Sequence, residues 1–271
     1  MTQTVAKLKA LQDRGEKFAV VAAYDASMTE ALNSADIDAI LVGDSLGMVV
    51  AGLDSTVPVT MEQMAYHTAA VARTNRRAAN PALVIADLPF MSYHNEALAL
   101  ENATRLMQAG ANMVKLEGGA WLAGSIAKLN QCGIPVCAHI GLTPQSVNKF
   151  GGYKVQGKSD AQQAELRDDL KALEQAGADF IVFECIPASL ADELTRQTSM
   201  ATIGIGAGSQ TNAQVLVCYD MLGLSNSPAR FVKNFLADAA DSGDASISQA
   251  FRCYKDDVLA GRYPAAEHEY Q

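Results

Sequence analysis

Six side chains that could bind a metal ion or transfer a proton each follow a short apolar run in this 271-residue chain. They are Asp44 (AILVGDS), Asp87 (ALVIADLP), Lys115 and Glu117 (NMVKLEGG), His139 (PVCAHIGL) and Glu184 (DFIVFECIP). Enzymes built on parallel strands assemble their active sites where buried strands end. Carboxylates, a lysine and a histidine arriving together in this way predict a site that holds a metal ion and moves a proton.

Asp44 and Asp87 are the first candidates for metal ligands. Oxygen ligands without cysteine suit Mg2+ or a similar hard cation. Because Mg2+ takes few protein carboxylates and keeps positions for water and substrate, the two aspartates with Glu117 nearby are sufficient. Either aspartate could instead cap the helix or turn that follows its apolar run.

Lys115 and Glu117 lie two residues apart on one predicted strand, so both side chains point to the same face, toward the barrel mouth. The pair could be a buried ion pair with a structural role. Alternatively, the lysine ammonium holds a substrate carboxylate or a developing oxyanion. A Schiff base is open to any barrel lysine, but the neighbouring acids predict that Lys115 stays protonated and poorly nucleophilic.

His139 and Glu184 each have a structural and a functional interpretation. A lone histidine at a strand end is commonly a hydrogen-bonded core residue, and Glu184 could form an ion pair with a helix or loop. Glu184 also lies in an apolar setting, between IVF and Cys-Ile-Pro, which suits a general base.

The segment GIGAGSQT at residues 204–211 superficially resembles a phosphate-binding turn. Barrels often bind phosphate at the loops after strands seven and eight. No second glycine-rich turn follows strand eight and the pattern is not GxGxxG, so we predict that these glycines serve tight packing of the loop.

Strand-like and helix-like segments alternate from residue 18 to about residue 240. The predicted strands are Phe18–Tyr24, Ala39–Val42, Leu83–Ala86, Met113–Leu116, Val136–His139, Phe180–Glu184, Thr202–Ile205 and Val215–Tyr219. The predicted helices between them include Met61–Thr74, Glu96–Ala109, Trp121–Gln131, Gln162–Gln175 and Ser189–Arg196. Short continuous apolar runs alternating with helices indicate a parallel sheet covered on both faces. Eight such strands favour a closed (β/α)8 TIM barrel over an open sheet.

An internal sequence repeat agrees with this fold. QAGANMVKLE (108–117) and QAGADFIVFE (175–184) share five of ten positions, and each places an Ala-Gly pair between a helix and a strand. Glycine in that position predicts a helix C-cap.

No Pro- or Ser-rich linker divides the chain, so we predict one domain over residues 1–271. It has a short amphipathic N-terminal helix, two terminal helices within residues 229–260, and a loose or interface-bound tail, YPAAEHEYQ. Residues 144–157 form a long polar loop after strand five, and such loops often act as lids.

Charge and composition restrict the partners. A net charge of -9 and a pI of about 4.9 argue against nucleic acid or an anionic membrane, whereas small anionic substrates remain possible. Five scattered cysteines without a CxxC pair predict free thiols in a reducing compartment. With no signal-peptide core and no run approaching a membrane span, we expect a cytoplasmic protein.

Read together, these residues resemble the ketopantoate hydroxymethyltransferase family, from about residue 18 to residue 236. The matching segments are AYDASM, LVGDSLGMVVAGLDSTVPVTMEQMAYHTAAV, ADLPFMSY, AGANMVKLEGG, PVCAHIGLTPQSVNKFGGYKVQG, FECIP, IGIGAG and FVKNF. LVGDSLGM and GLTPQSVNKFGGYKVQG are long enough to be highly specific. Ala138 stands where a glycine is usual, a change that would slightly crowd the pocket.

The resemblance implies a barrel of the phosphoenolpyruvate/pyruvate type, assembled as a homodecamer of paired rings. It implies transfer of a one-carbon unit from 5,10-methylenetetrahydrofolate to 3-methyl-2-oxobutanoate, through an enolate stabilised by Mg2+, to give 2-dehydropantoate in pantothenate biosynthesis.

The same resemblance assigns roles to matching positions. Asp44 and Asp87 would ligate Mg2+ with Glu117 close by, and Glu184 would be the base. The residues that contact the keto acid would be Ser45 and Lys115, which hold its carboxylate, and His139, which lines the pocket.

Two other readings stay open. A Mg2+-dependent lyase or mutase of the isocitrate-lyase type would use the same metal-enolate chemistry, but such enzymes usually have a nucleophilic cysteine in a short loop motif that is missing from this sequence. A non-catalytic barrel subunit would have lost the strand-end acids, and failure to bind Mg2+ would favour it.

Overall fold

Eight parallel strands close into a barrel in the computed structural model, which describes residues 2–225 and 228–271. The strands are β1 (Phe18–Ala22), β2 (Ala39–Val42), β3 (Leu83–Asp87), β4 (Met113–Glu117), β5 (Val136–Gly141), β6 (Phe180–Glu184), β7 (Ala201–Ile205) and β8 (Ala213–Val217). Each strand pairs with the next along the chain, and β8 pairs with β1. The (β/α)8 barrel predicted from the sequence is confirmed.

Helices surround the barrel. They are α1 (Val5–Asp13), α2 (Ala26–Ser34), α3 (Leu46–Val49), α4 (Met61–Asn75), α5 (Glu96–Ala109), α6 (Ala123–Gln131), α7 (Val147–Phe150), α8 (Asp160–Gln175), α9 (Ala188–Gln197), α10 (Cys218–Met221), α11 (Phe235–Asp241) and α12 (Ile247–Leu259). Short 3-10 turns span Ala120–Leu122, Pro144–Ser146 and Ala266–His268. No helix of the described chain is long and apolar enough to cross a membrane.

The apolar core has two layers because successive strand residues point to opposite faces. Inside the barrel, Phe18 of β1 lies against Phe180 of β6, with ring centroids 6.0 Å apart. Leu8 of α1 is fully buried in this same inner cluster, so the N-terminal helix closes the amino end of the barrel. A larger cluster lies between the outer strand faces and the helices. The carboxyl end is left for polar side chains.

Both Ala-Gly pairs form the helix ends predicted for them. Gly110 caps α5 with φ at 113°, and Gly177 follows α8 with φ at 92°. Glycine takes this left-handed backbone without steric cost, so each helix can stop and return directly to the next strand.

The largest differences from the predicted elements occur at β8 and after β5. The last strand is Ala213–Val217 rather than Val215–Tyr219, because Cys218 begins the short helix α10. Residues 144–157 are only partly loop, since a 3-10 turn and α7 occupy their first half. The single domain over residues 1–271 stays a prediction.

The C-terminal tail is packed against the barrel mouth and is not loose. The Ala188 N–H at the start of α9 donates to the Tyr270 carbonyl oxygen (2.9 Å), and the Ser209 N–H donates to Glu269 Oε1 (3.1 Å). His268 is buried. The Glu269 carboxylate therefore accepts the hydrogen bond of one N–H in the 204–211 turn. This agrees with the packing role predicted for that turn.

Deleting residues 268–271 is expected to lower the thermal unfolding midpoint by about 5 °C. The hydrogen bonds from the Ala188 and Ser209 N–H groups are lost, each worth about 1 kcal/mol, and a chain of this size loses about 2–4 °C per kcal/mol. Differential scanning calorimetry checks this, with deletion of the exposed Gln271 alone as the control. Equal midpoints for the two deletions would contradict the packed tail.

Candidate active site

All seven residues singled out in the sequence line one cavity of about 440 Å³ at the carboxyl ends of the strands. They are Asp44, Ser45, Asp87, Lys115, Glu117, His139 and Glu184. Apolar residues of five strands also line it, namely Ala22, Leu41, Val182, Ile205, Val215 and Val217. The cavity therefore offers a charged side and an alkyl-binding side.

Strand register brings the charged side chains together. Lys115 and Glu117 both point into the barrel mouth, as their spacing predicts. Asp87 on β3 pairs with Lys115, and His139 on β5 pairs with Glu117. Lys115 Nζ consequently lies 3.1 Å from Asp87 Oδ1, 3.4 Å from Glu117 Oε1 and 3.2 Å from His139 Nδ1.

Asp44 follows β2 in a tight turn that points it toward Asp87. The Asp44 N–H donates to Asp87 Oδ2 at 3.1 Å. A Cβ at Gly43 would lie 2.8 Å from Ser45 Oγ, so a larger residue there would displace the serine hydroxyl. The N-cap of the following helix α3 is Ser45 and not Asp44. Neither aspartate therefore serves the capping role that the sequence left open.

Asp44, Asp87 and Glu117 form a carboxylate set suited to a divalent cation. Each offers one oxygen within 4.8 Å of the others, and all three side chains are buried. Asp87 Oδ1 is buried and faces the Lys115 ammonium at 3.1 Å. That one ammonium is shared with Glu117, so the three carboxylates together still carry more negative charge than Lys115 supplies. These residues thus fit Mg2+, which prefers oxygen ligands.

The pKa shifts show that this carboxylate set lacks positive charge. Burial, followed by repulsion from Glu117 and Asp87, raises the pKa of Asp44 well above its ordinary value. Burial also raises the pKa of Asp87, against the attraction of Lys115. Burial would raise the pKa of Glu117 too, but Lys115 and His139 outweigh it and lower that pKa to about 2. Lys115 and His139 together supply two positive charges against the four carboxylates of Asp44, Asp87, Glu117 and Glu184.

Lys115 is held as a cation. Burial would lower the pKa of its ammonium, but Asp87, Glu117 and Asp44 outweigh burial and raise the pKa well above its ordinary value. The geometry therefore favours an electrostatic role over Schiff-base formation.

His139 connects the carboxylate set to Glu184. Its Nδ1 lies 3.4 Å from Glu117 Oε1, and its Nε2 lies 3.2 Å from Glu184 Oε2. Burial and Lys115 would lower the pKa of His139, but Glu117 and Glu184 outweigh them and raise it to about 9. The side chain of Glu184 is 16% exposed compared with 3% for Glu117, so Glu184 is the more accessible carboxylate.

The backbone beside Glu184 is tightly constrained. Cys185, which follows it, takes a left-handed φ of 47°, and Gly141 on the neighbouring strand has φ at 93°. A Cβ at Gly141 would overlap the Glu184 carbonyl oxygen, so only glycine allows the two strand ends to approach.

Two site residues were missed from the sequence, Gln145 and Tyr93. Gln145 Nε2 donates to Asp44 Oδ2 at 2.8 Å, and Tyr93 Oη lies 2.5 Å from Gln145 Oε1. Neither follows an apolar run, and neither residue type points to metal chemistry. The only available signal was the position of both within segments of the family resemblance, FMSY and LTPQS.

In the metal-free protein, the contribution of this site to the free energy of unfolding should fall as pH rises above about 4.5. Asp44 and Asp87 have raised native pKa values, so above the ordinary range near 4 the folded state binds more protons than the unfolded state and loses stability with pH. The His139 contribution is present below about 6.5 and is lost as pH rises through about 9.

Mg2+ should counter this loss, because it replaces the protons on the carboxylates. Denaturant titrations at several pH values, with EDTA and with Mg2+, isolate the effect as the gap between the two curves. The gap should widen with pH, and a constant gap would contradict the assignment.

The sequence of this chain is similar to those of a known enzyme family. Residues 2–266 match the sequence model of the family described as Ketopantoate hydroxymethyltransferase. The 3-methyl-2-oxobutanoate hydroxymethyltransferase 2 of Hahella chejuensis is 53% identical over 271 residues, 100% of this chain and 99% of the relative. The corresponding enzyme of Saccharophagus degradans is 53% identical over 267 residues, 98% of this chain and 96% of the relative.

Solved structures show the same fold at low sequence identity. Phosphonopyruvate hydrolase superposes with a TM-score of 0.63 at 14% identity, covering 97% of this chain and 100% of that chain. A 2,3-dimethylmalate lyase, a PEP mutase/isocitrate lyase superfamily member, gives 0.57 at 17% identity, covering 95% and 96%. These likenesses agree with the (β/α)8 fold of this chain.

Proposed function

This chain belongs to the ketopantoate hydroxymethyltransferase family, and from that premise we propose that it transfers a one-carbon unit from 5,10-methylenetetrahydrofolate to 3-methyl-2-oxobutanoate. The product is 2-dehydropantoate. The observation that carries the mechanism is the convergence of three buried carboxylates, Lys115 and the more accessible Glu184 on one cavity.

The metal-binding residues in this proposal are Asp44 and Asp87, with Glu117 close by, directly or through water. A Mg2+ ion bound there would draw electron density from the ketone and carboxylate oxygens of the 2-oxo acid and lower the energy of its enolate by several kcal/mol.

Lys115 and Ser45 hold the substrate carboxylate. The ammonium of Lys115 stays charged and buried, so its field acts at low dielectric. Ser45 Oγ lies 2.7 Å from Tyr24 Oη, which fixes the hydroxyl at the cavity wall. His139 lines the same pocket, and the isopropyl group of the substrate fits the apolar wall formed by β1, β2, β6, β7 and β8.

Glu184 is the base in this proposal. Its carboxylate removes the C3 proton, and the C–H electron pair becomes the enolate double bond. His139, at 3.2 Å, holds the carboxylate in position and stabilises its charge before the proton arrives. The C–N10 bond of the folate opens as N10 takes a proton, and the enolate carbon bonds to the methylene carbon that remains on N5. Water then displaces N5 from that carbon: its oxygen becomes the hydroxyl, one of its protons passes to N5, and tetrahydrofolate leaves. We place the folate across the mouth, under residues 144–157.

Tyr153 gives this segment a contact with the far side of the mouth. Its hydroxyl lies 3.2 Å from Met48 Sδ, beyond β2, while half of the tyrosine stays exposed. The contact spans the cavity opening, which supports a covering role for the segment.

The lyase or mutase alternative receives less support. Cys185 is the cysteine next to the proposed base, but it is buried, and burial raises the pKa of its thiol well above the ordinary value. A buried neutral thiol is a poor nucleophile. The homodecamer and the cytoplasmic location remain proposals drawn from the family.

The test is mass spectrometry of the purified protein with 3-methyl-2-oxobutanoate and 5,10-methylenetetrahydrofolate, in Mg2+ and in EDTA. We expect 2-dehydropantoate in Mg2+ and little or none in EDTA. If the folded protein forms no product in Mg2+ or in EDTA, the proposal is overturned. The lyase and the non-catalytic subunit would then be the favoured functions.

A further inference from the structure

Gln145 makes four polar contacts around the carboxylate set although its side chain is an uncharged amide. Its Nε2 donates to Asp44 Oδ2 (2.8 Å) and to the Leu88 carbonyl (3.0 Å). Its backbone N–H donates to Glu117 Oε2 (3.0 Å), and its Oε1 accepts from Tyr93 Oη (2.5 Å). The residue is 5% exposed. Two of the three candidate metal ligands are thus held by one residue.

We propose that Gln145 is a positioning residue that sets the spacing of Asp44 and Glu117 for a divalent cation. The inference rests on the proposed function, because it takes the three carboxylates as the metal site. It assigns a role that neither the residue type nor the sequence pattern predicted.

The orientation of the amide is dictated by its surroundings. Both groups beside Nε2 are oxygen acceptors, the Asp44 carboxylate and the Leu88 carbonyl, so this end must be the NH2 group. The other end faces the Tyr93 hydroxyl, which can donate to it. Both N–H groups and the oxygen of the amide are used, so the side chain has one well-defined position.

An amide suits this task better than a cation would. It orients the Asp44 carboxylate through Oδ2 without cancelling its charge, and Oδ1 remains for a metal ion. Asp87 is divided in a related way, because its Oδ2 accepts from the Asp44 N–H while its Oδ1 faces the Lys115 ammonium at 3.1 Å. Outer residues that orient ligands in this way raise metal affinity.

Gln145 also ties the metal site to the segment over the mouth. It lies in the 3-10 turn Pro144–Ser146, which leads directly into α7 and then to Tyr153. Any shift of this turn therefore moves the donors to both Asp44 and Glu117.

The test is isothermal titration of Mg2+ into the protein without substrates. Gln145→Met keeps the length of the side chain and the backbone N–H to Glu117, but removes the donor to Asp44. We expect Mg2+ affinity to fall about 10- to 100-fold. Gln12→Met is the matched control, because Gln12 also donates its amide to a backbone carbonyl, that of Met200, but lies on α1 at the closed end of the barrel.

Tyr93→Phe gives a second, milder variant. It removes the hydroxyl at Gln145 Oε1 and should weaken Mg2+ binding less than Gln145→Met does. Because the Tyr93 hydroxyl contacts both Gln145 Oε1 and the backbone of Glu117, the double variant should lose less Mg2+ affinity than the two single losses added together. If Gln145→Met fails to fold, Gln145→Asn, which keeps an amide but shortens its reach toward Asp44, decides the question.

The outcomes separate the two proposals. Unaltered protein that binds no Mg2+ overturns the proposed function and this inference together. Unaltered protein that binds Mg2+, with affinity unchanged in the folded Gln145→Met or Gln145→Asn variant, overturns the inference alone. Weaker binding in these variants and unchanged binding in Gln12→Met supports both.

Discussion

Replacing Glu184 with glutamine is expected to lower the rate of hydrogen exchange at C3 of 3-methyl-2-oxobutanoate by at least about 100-fold, the typical worth of a positioned base. Glutamine keeps the shape of the side chain but cannot accept the proton. Mg2+ affinity should stay unchanged, because Glu184 is not part of the carboxylate set formed by Asp44, Asp87 and Glu117. Proton NMR in deuterated water with Mg2+ and without folate measures this step alone.

Glu165→Gln is the matched control, since Glu165 is an exposed glutamate on α8. It should exchange the C3 hydrogen as fast as the unaltered protein. Retained exchange in Glu184→Gln would refute the base assignment. Lost exchange together with lost Mg2+ binding would place Glu184 in the metal site instead.

Replacing Asp87 with asparagine is expected to weaken Mg2+ binding by more than about 100-fold, beyond the loss typical of an outer residue. Asparagine can still accept the hydrogen bond from the Asp44 N–H through its oxygen. It replaces Oδ1, the carboxylate oxygen beside the Lys115 ammonium, with an NH2 group that cannot bind a cation. Isothermal titration measures the loss, and C3 exchange should fall with it.

The stability of this variant distinguishes a functional from a structural carboxylate. Because the native pKa of Asp87 is raised, its ionised form is disfavoured by folding at neutral pH. Asparagine should therefore leave the metal-free protein at least as stable as before, while Mg2+ no longer stabilises it. A large loss of stability in EDTA would show instead that the Lys115–Asp87 ion pair holds the barrel together.

Asp169→Asn is the control for this substitution. Asp169 is half-buried, its pKa is also raised by burial, and its Oδ1 accepts from the Ala120 N–H at 2.7 Å. It resembles Asp87 in burial and backbone hydrogen bonding but lies outside the carboxylate set, so Mg2+ affinity should not change.

The barrel could be predicted from sequence because its strands are buried on both faces. Such strands appear as short continuous apolar runs, and the polar residue that ends each run marks the mouth. β2 and β6 matched their predicted bounds fully, and Asp87 and Glu117 are the last residues of β3 and β4. The strand-end rule thus found the acids, the lysine and the histidine.

The residues that were missed act through tertiary contacts. Gln145 reaches Asp44 across 101 positions of sequence, and Tyr93 reaches Gln145 across 52. No local periodicity encodes such distances. The packed tail was missed for the same reason, since Glu269 and its partner, the Ser209 N–H after β7, are 60 positions apart in sequence. The roles of the site residues stay predictions.

The most direct test of the metal-enolate account is a crystal structure with Mn2+ and 3-methyl-2-oxobutanoate, with the metal located by its anomalous scattering. The account predicts a metal peak bound by Asp44 and Asp87 near Glu117, with the keto acid oxygens on the metal and C3 facing Glu184. A metal bound elsewhere, or a keto acid with C3 turned away from Glu184, would contradict it.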